Sequence, residues 1–164
     1  RLMRRHNFDF PDRHLEKIGG WVRLRNEGDS ISLSYKQLND RTLHGTKETQ
    51  IVVNDYELTK QLLEDIGLQT FALQETKREK WMLGDTEVVI DTWPWVPIFT
   101  EIEGPTEVAV RKTADLLGLD WSQALHGSVE IVYQSYYNVT DQDIYNWPEV
   151  TFSPVPEFLE NKRK

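Results

Sequence analysis

The chain contains no cysteine, which excludes disulfides, zinc–thiolate sites and thiol nucleophiles. No apolar run approaches the roughly 20 residues of a membrane-spanning helix, and the first residues lack the apolar stretch of a signal peptide. Those absences predict a cytoplasmic location and no membrane partner. A glycine-rich phosphate loop is also missing, because Gly19-Gly20 is not followed by Lys-Ser/Thr. The four histidines, His6, His14, His44 and His126, stand outside any nucleophile–base motif. Positive charge is scarce overall: 19 basic residues face 27 acidic ones, a net charge of −8. Such a balance argues against nucleic acid as a partner, since phosphate backbones attract a positive field. It leaves room for a small basic pocket inside an acidic shell.

What is present begins with residues 87–103, Glu-Val-Val-Ile-Asp-Thr-Trp-Pro-Trp-Val-Pro-Ile-Phe-Thr-Glu-Ile-Glu. Period-two alternation predicts two strands broken by the Trp-Pro-Trp-Val-Pro corner. Glu101 and Glu103 then share one face about 7 Å apart. With Asp91 on the neighbouring strand they offer three hard oxygen ligands, a set suited to Mg²⁺ or Mn²⁺. The alternative is an ordinary solvated sheet face.

At 164 residues the chain is long enough for one domain with its own core, here expected over residues 1–147 with a tail at 148–164. Residues 5–10 read as a strand stopping at Pro11-Asp12, and residues 13–18 as a short helical connector. Trp21-Val22-Arg23-Leu24-Arg25 and Ile31-Ser32-Leu33-Ser34-Tyr35-Lys36 form a hairpin across Asn26-Glu27-Gly28-Asp29-Ser30. Its one face is apolar; the other carries Arg23, Arg25 and Lys36, either as a solvated basic face or as a binding one. A loop is expected over residues 39–46 and a strand over 47–53. Asn54-Asp55 predicts a capped helix over 56–66 with Leu58, Leu62 and Ile66 as its buried stripe and Leu63 beside them. Residues 69–83 read mainly as strand, turning at Gly84-Asp85. A second helix is expected to start with Pro105 in its first position and end near Leu117-Gly118. Ser128 caps a third, with Val129, Val132, Tyr133 and Tyr136 on one side as core. Prolines from Pro148 onward suggest a loosely held tail.

The strands therefore carry Arg23, Arg25, Lys36 and Arg78 on the one hand, and Asp91, Glu101 and Glu103 on the other. If the sheet closes into a barrel, both signs meet in its lumen. Several cations plus a carboxylate-held divalent ion would match a substrate with adjacent negative charges, such as a triphosphate.

Six segments, in this order and spacing, resemble the CYTH superfamily of triphosphate tunnel metalloenzymes. They are Phe8-Asp9-Phe10-Pro11-Asp12, Trp21-Val22-Arg23-Leu24-Arg25, Leu33-Ser34-Tyr35-Lys36, Glu75-Thr76-Lys77-Arg78-Glu79-Lys80-Trp81, Val89-Ile90-Asp91 and Phe99-Thr100-Glu101-Ile102-Glu103-Gly104. The superfamily includes class IV adenylyl cyclases and thiamine and inorganic triphosphatases. The resemblance, over residues 5–137, implies an α+β fold: an antiparallel β-barrel tunnel with helices packed outside. It implies phosphate binding by Arg23, Arg25, Lys36 and Arg78, and Mg²⁺ or Mn²⁺ on Asp91, Glu101 and Glu103. Lys36, Arg78 and Lys80 are the candidate catalytic residues. The implied activity is a metal-dependent phosphohydrolase acting on tripolyphosphate or on a nucleoside or thiamine triphosphate. An adenylyl cyclase and a non-catalytic polyphosphate or nucleotide binder stand as alternatives, and a homodimer is a further expectation.

The chain departs from the family pattern in three places. The signature first strand, Glu-x-Glu-x-Lys, is not in this sequence, so the barrel is expected to be N-terminally incomplete. Thr76 stands where the family has lysine, and of its neighbours only Lys80 shares a face with Arg78. Asn7 falls near the place of a tyrosine that activates water in some triphosphatases.

Overall fold

The computed structural model describes residues 1–38 and 46–164. Of the loop expected at residues 39–46, residues 39–45, with His44, lie outside them, and Thr46 begins a strand. Fifteen elements follow one another in the described residues: β1 (Leu2–Asp9), α1 (His14–Lys17), β2 (Gly20–Asn26), β3 (Ile31–Leu38), β4 (Thr46–Val53), α2 (Tyr56–Asp65), β5 (Gln69–Leu83), β6 (Thr86–Thr92), β7 (Phe99–Glu103), α3 (Glu107–Leu116), a 3₁₀ turn (Trp121–Gln123), α4 (Val129–Tyr136), α5 (Asp141–Tyr145), β8 (Glu149–Val150) and α6 (Glu157–Glu160). The class is α+β. The strands hydrogen-bond in the order β4-β3-β2-β1-β5-β6-β7, and β8 adds to β5. All the registered pairs are antiparallel except β5 with β8. Among the described residues no helix is long and apolar enough to cross a membrane.

The chain divides into two compact units, residues 1–75 with 142–151, and residues 76–141 with 152–164. In the first, β2 and β3 alternate apolar and polar side chains, and one face of the sheet carries the apolar cluster. Phe8 and Leu24 are fully buried on it and pack with Leu63 of α2 and Leu68, flanked by Val22, Ile31, Leu33 and Val53. The β2–β3 loop closes through Glu27 N–H to Ser30 O at 2.9 Å and Asn26 Oδ1 accepting from Gly28 N–H. Gly19 has a positive φ, and a Cβ there would lie 2.4 Å from the Leu38 carbonyl oxygen, so the β2 entry demands glycine.

Helix α2 is capped by Asp55 as expected, but its buried stripe is not the one expected. Leu58, Leu62 and Ile66 are exposed, at 69, 58 and 60%, and Leu63 alone is buried. The rotation follows Tyr56, whose hydroxyl lies 2.7 Å from His6 Nδ1 and which packs on the Phe8–Leu24 cluster. Tyr56 and Leu63 are two turns apart and so share a face, which turns the other leucines outward.

In the second unit the 93–97 corner is held from α4. Tyr133 donates to the Pro94 carbonyl at 2.8 Å and Tyr137 to that of Trp95, while Trp95 Nε1 donates to Ser153 O at 3.0 Å. These bonds hold Trp95 at φ 68°, a conformation unusual for a bulky residue. Helix α3 starts two residues later than expected, at Glu107, because Thr106 supplies the cap to Ala109 N–H. Ser128 precedes α4, but its hydroxyl bonds the Glu130 carboxylate instead of a backbone N–H; Tyr133 is buried and Tyr136 exposed. Residues 148–164 are not loosely held. Val150 is buried where β8 pairs with β5 in the first unit. Leu159 is fully buried in the second, and Arg163 bridges Tyr137 there.

Candidate functional site

The first unit gathers its cations on the face opposite its core. In register, Arg23 faces Ser34 and Arg25 faces Ser32, with Lys36 opposite both Trp21 and Glu48. The expected residues Arg23, Arg25 and Lys36 are thus brought together. The pairing of β1 adds two that the sequence reading missed, because Asn7 lies opposite Arg23 and Arg5 opposite Arg25. Arg5 is only 6% exposed, and its Nε donates to Gln74 Oε1 at 2.9 Å. The alternation Met3, Arg5, Asn7, Asp9 against Arg4, His6, Phe8 carried that signal, hidden by the Arg4-Arg5 doublet.

Like charges placed directly opposite each other across strands repel. Arg5 and Arg25 are so placed, and the same face offers Arg23 and Lys36. Glu27 pairs with Arg25, and Glu48 lies 2.9 Å from Lys36 Nζ. Burial, and then the Arg23 charge, hold the Lys36 ammonium below the usual lysine value, with Glu48 pulling the other way. On this face the Arg25 Nε donor and the Asn7 Oδ1 acceptor are buried without a hydrogen-bond partner among the described residues. A donor left in this condition among several cations suits an anion rich in acceptor oxygens. Asp9, at the end of the same strand, is structural: it accepts from the N–H groups of Phe10, Leu15 and Glu16 and anchors α1.

The second unit presents a different face. Register places Arg78 opposite Asp91, Val89 opposite Glu101, and Glu87 opposite Glu103. Arg78, Lys80, Glu87, Asp91, Glu101 and Glu103 therefore share one side. Arg78 donates from Nε to Asp91 Oδ1 at 2.7 Å and from Nη2 to Asp91 Oδ2, and Nη2 also donates to Glu101 Oε2 at 2.8 Å. Lys80 pairs with Glu87. Asp91 is 1% exposed. Burial is the largest influence on Glu101 and raises its pKa, opposed by Arg78 and reinforced by Asp91 and Glu103. Asp91 and its carboxylate neighbours raise the Arg78 pKa despite burial.

The expected metal ligands Asp91, Glu101 and Glu103 lie on one face, yet among the described residues no three acids or histidines gather into a metal cage. The cation between Asp91 and Glu101 is the Arg78 guanidinium. In this arrangement the residues do not fit a resident divalent ion. Thr76, where a lysine was looked for, is buried. Lys77 points to the other side, 4.6 Å over the Phe152 ring.

A family model for the CYTH domain matches residues 3–115, and the chain belongs to that family. Its members are metal-dependent enzymes, triphosphatases and adenylyl cyclases among them. Solved structures share the fold at low identity. A conserved hypothetical protein from Pyrococcus furiosus matches with a TM-score of 0.62 at 16% identity, covering 80% of this chain and 83% of that one. A proposed adenylate cyclase from Vibrio parahaemolyticus matches at 0.61 and 15%, covering 81% and 80%. A proposed adenylyl cyclase from Hippeastrum, with a dominant triphosphatase activity, matches at 0.53 and 14%, covering 82% and 83%. No curated protein matches the chain significantly.

Proposed function

We propose that this chain binds a triphosphate and hydrolyses it, as a triphosphatase of the CYTH family. The observation that carries the reading is the basic face of the first unit, where Arg5, Arg23, Arg25 and Lys36 collect in a protein whose net charge is −8. Arg23 and Arg25 bind phosphate oxygens through charge-assisted hydrogen bonds, and Lys36 neutralises charge there as it develops. Arg78 and Lys80 take a catalytic part only by exchanging carboxylate partners for phosphate ones. The substrate is tripolyphosphate or a nucleoside or thiamine triphosphate, and the family's divalent ion is Mg²⁺ or Mn²⁺.

One observation favours a second reading, a non-catalytic polyphosphate or nucleotide binder: the acids expected to hold metal hold Arg78 instead. Product analysis with tripolyphosphate or ATP, each with Mg²⁺ and with Mn²⁺, decides between them. Orthophosphate is the expected product. Cyclic AMP with pyrophosphate would make the protein a cyclase, and binding without turnover would make it a binder. Arg23→Ala and Arg25→Ala should each weaken tripolyphosphate binding by roughly 1.5–3 kcal/mol, the worth of a hydrogen bond to a charged group. Unchanged affinity in both, measured by calorimetry, would return this face to a solvated role.

A further inference from the structure

The acidic face of the second unit is already supplied with cations. Arg78 and Asp91 are directly opposite in the β5–β6 register, so the backbone itself sets their pairing. Both Asp91 oxygens accept from this one guanidinium, in the two-bond geometry that favours arginine over any other partner. The same Nη2 reaches Glu101, which stands opposite Val89 on the next strand. A divalent ion on these two carboxylates would have to displace a charge from a nearly fully buried aspartate, leaving charged groups to be paired anew away from water. Mg²⁺ in particular is commonly bound through one or two carboxylates plus substrate phosphates, not in an all-protein cage.

We propose that Arg78 is the resident cation of this face, and that the divalent ion reaches the protein as a metal–triphosphate complex instead of waiting on Asp91 and Glu101. The inference rests on the triphosphate reading above for the second half of that statement only. Glu103 is exposed and makes no hydrogen bond or ion pair among the described residues, so it is the acid of the expected three that remains open to a hydrated ion. Arg78 is in this sense a positioning residue for the metal's route of entry: it closes the protein-only site and leaves the metal to its phosphate ligands.

The test titrates Mn²⁺ into the protein without phosphate and follows free Mn²⁺ by electron paramagnetic resonance. Unliganded wild type is expected to show no saturable binding through the millimolar range, or only binding that Glu101→Gln leaves unchanged. Arg78→Met, which removes the charge and keeps much of the stem, should gain Mn²⁺ affinity by about tenfold or more, and Glu101→Gln added to it should abolish the gain. Saturable binding to wild type that Glu101→Gln weakens by about tenfold, or a folded Arg78→Met with no gain, would overturn the proposal. Should Arg78→Met fail to fold by circular dichroism, the wild-type and Glu101→Gln titrations decide alone. Calorimetry with tripolyphosphate in the presence of Mg²⁺ runs in parallel. If that binding is absent the triphosphate reading fails, while the Mn²⁺ titrations still judge the acidic face.

Discussion

Lys36 reports the electrostatics of the basic face more directly than any arginine there, because its proton can be followed. Burial is the first cause of its lowered pKa and the Arg23 charge the second. A lysine whose folded pKa lies below its unfolded one makes the folded chain bind fewer protons between those values. Stability therefore rises with pH across that window, and the penalty for charged Lys36 is fully present below it. Lys36→Met should accordingly leave the ligand-free protein as stable as wild type or more so at neutral pH, which thermal unfolding measures. Bound tripolyphosphate should raise the Lys36 pKa, since an adjacent anion favours the charged form. Titration of the lysine Cε resonance by NMR, with and without tripolyphosphate, checks it; an unmoved pKa would separate Lys36 from the phosphate site.

Tyr133 belongs to the same scale and has the opposite character. Its buried hydroxyl serves the Pro94 carbonyl, so it holds the corner that joins β6 to β7. Tyr133→Phe should cost about 0.5–1.5 kcal/mol of stability by denaturant unfolding without touching phosphate affinity.

Among elements, α2 separates what helical periodicity shows from what packing decides. Its sequence holds enough leucine to define an apolar stripe, and the stripe at i, i+4, i+8 is the exposed one. Periodicity states that Leu58, Leu62 and Ile66 share a side; it does not state which side meets the sheet. That rotation is set by Tyr56 against His6 and by Leu63 against Phe8 and Leu24, partners about 40–55 residues away in the chain. Leu63→Ala should therefore cost about 2–5 kcal/mol, and Leu62→Ala no more than about 0.5 kcal/mol, in paired denaturant titrations. The C-terminal residues show the same limit. Prolines withhold backbone donors, which reads locally as disorder, but they do not stop Val150 or Leu159 from burying apolar side chains.

For the whole molecule, a net charge of −8 and a face of four cations set one measurable expectation. Tripolyphosphate at about a hundred times its dissociation constant should stabilise the protein by roughly 2.7 kcal/mol, read as a rise in Tm. The rise should shrink with added salt at fixed ligand, because the contacts are partly exposed charges. No thermal shift at millimolar tripolyphosphate would count against any triphosphate site in the chain.

Much of both polar faces was legible in the residues alone. Arg23, Arg25 and Lys36 fall on one side because strand geometry alternates locally and the four-residue hairpin loop, residues 27–30, joins two regular strands. The same local rule puts Asp91, Glu101 and Glu103 on one side of β6 and β7. The caps at Asp55 and Thr106 are likewise short-range chemistry, although Thr106 starts α3 two residues beyond the start expected at Pro105. Backbone alternation, turn residues and caps act within a few positions, and to that extent the sequence by itself determined the strands, their polar faces and the family. Only the tertiary structure decided the partners: that Arg5 joins the basic face, that α2 turns Leu63 inward, and that Arg78 bonds both Asp91 and Glu101. Those outcomes depend on register between strands distant in sequence and on which charges lose their water together, and neither is written in any local stretch of residues.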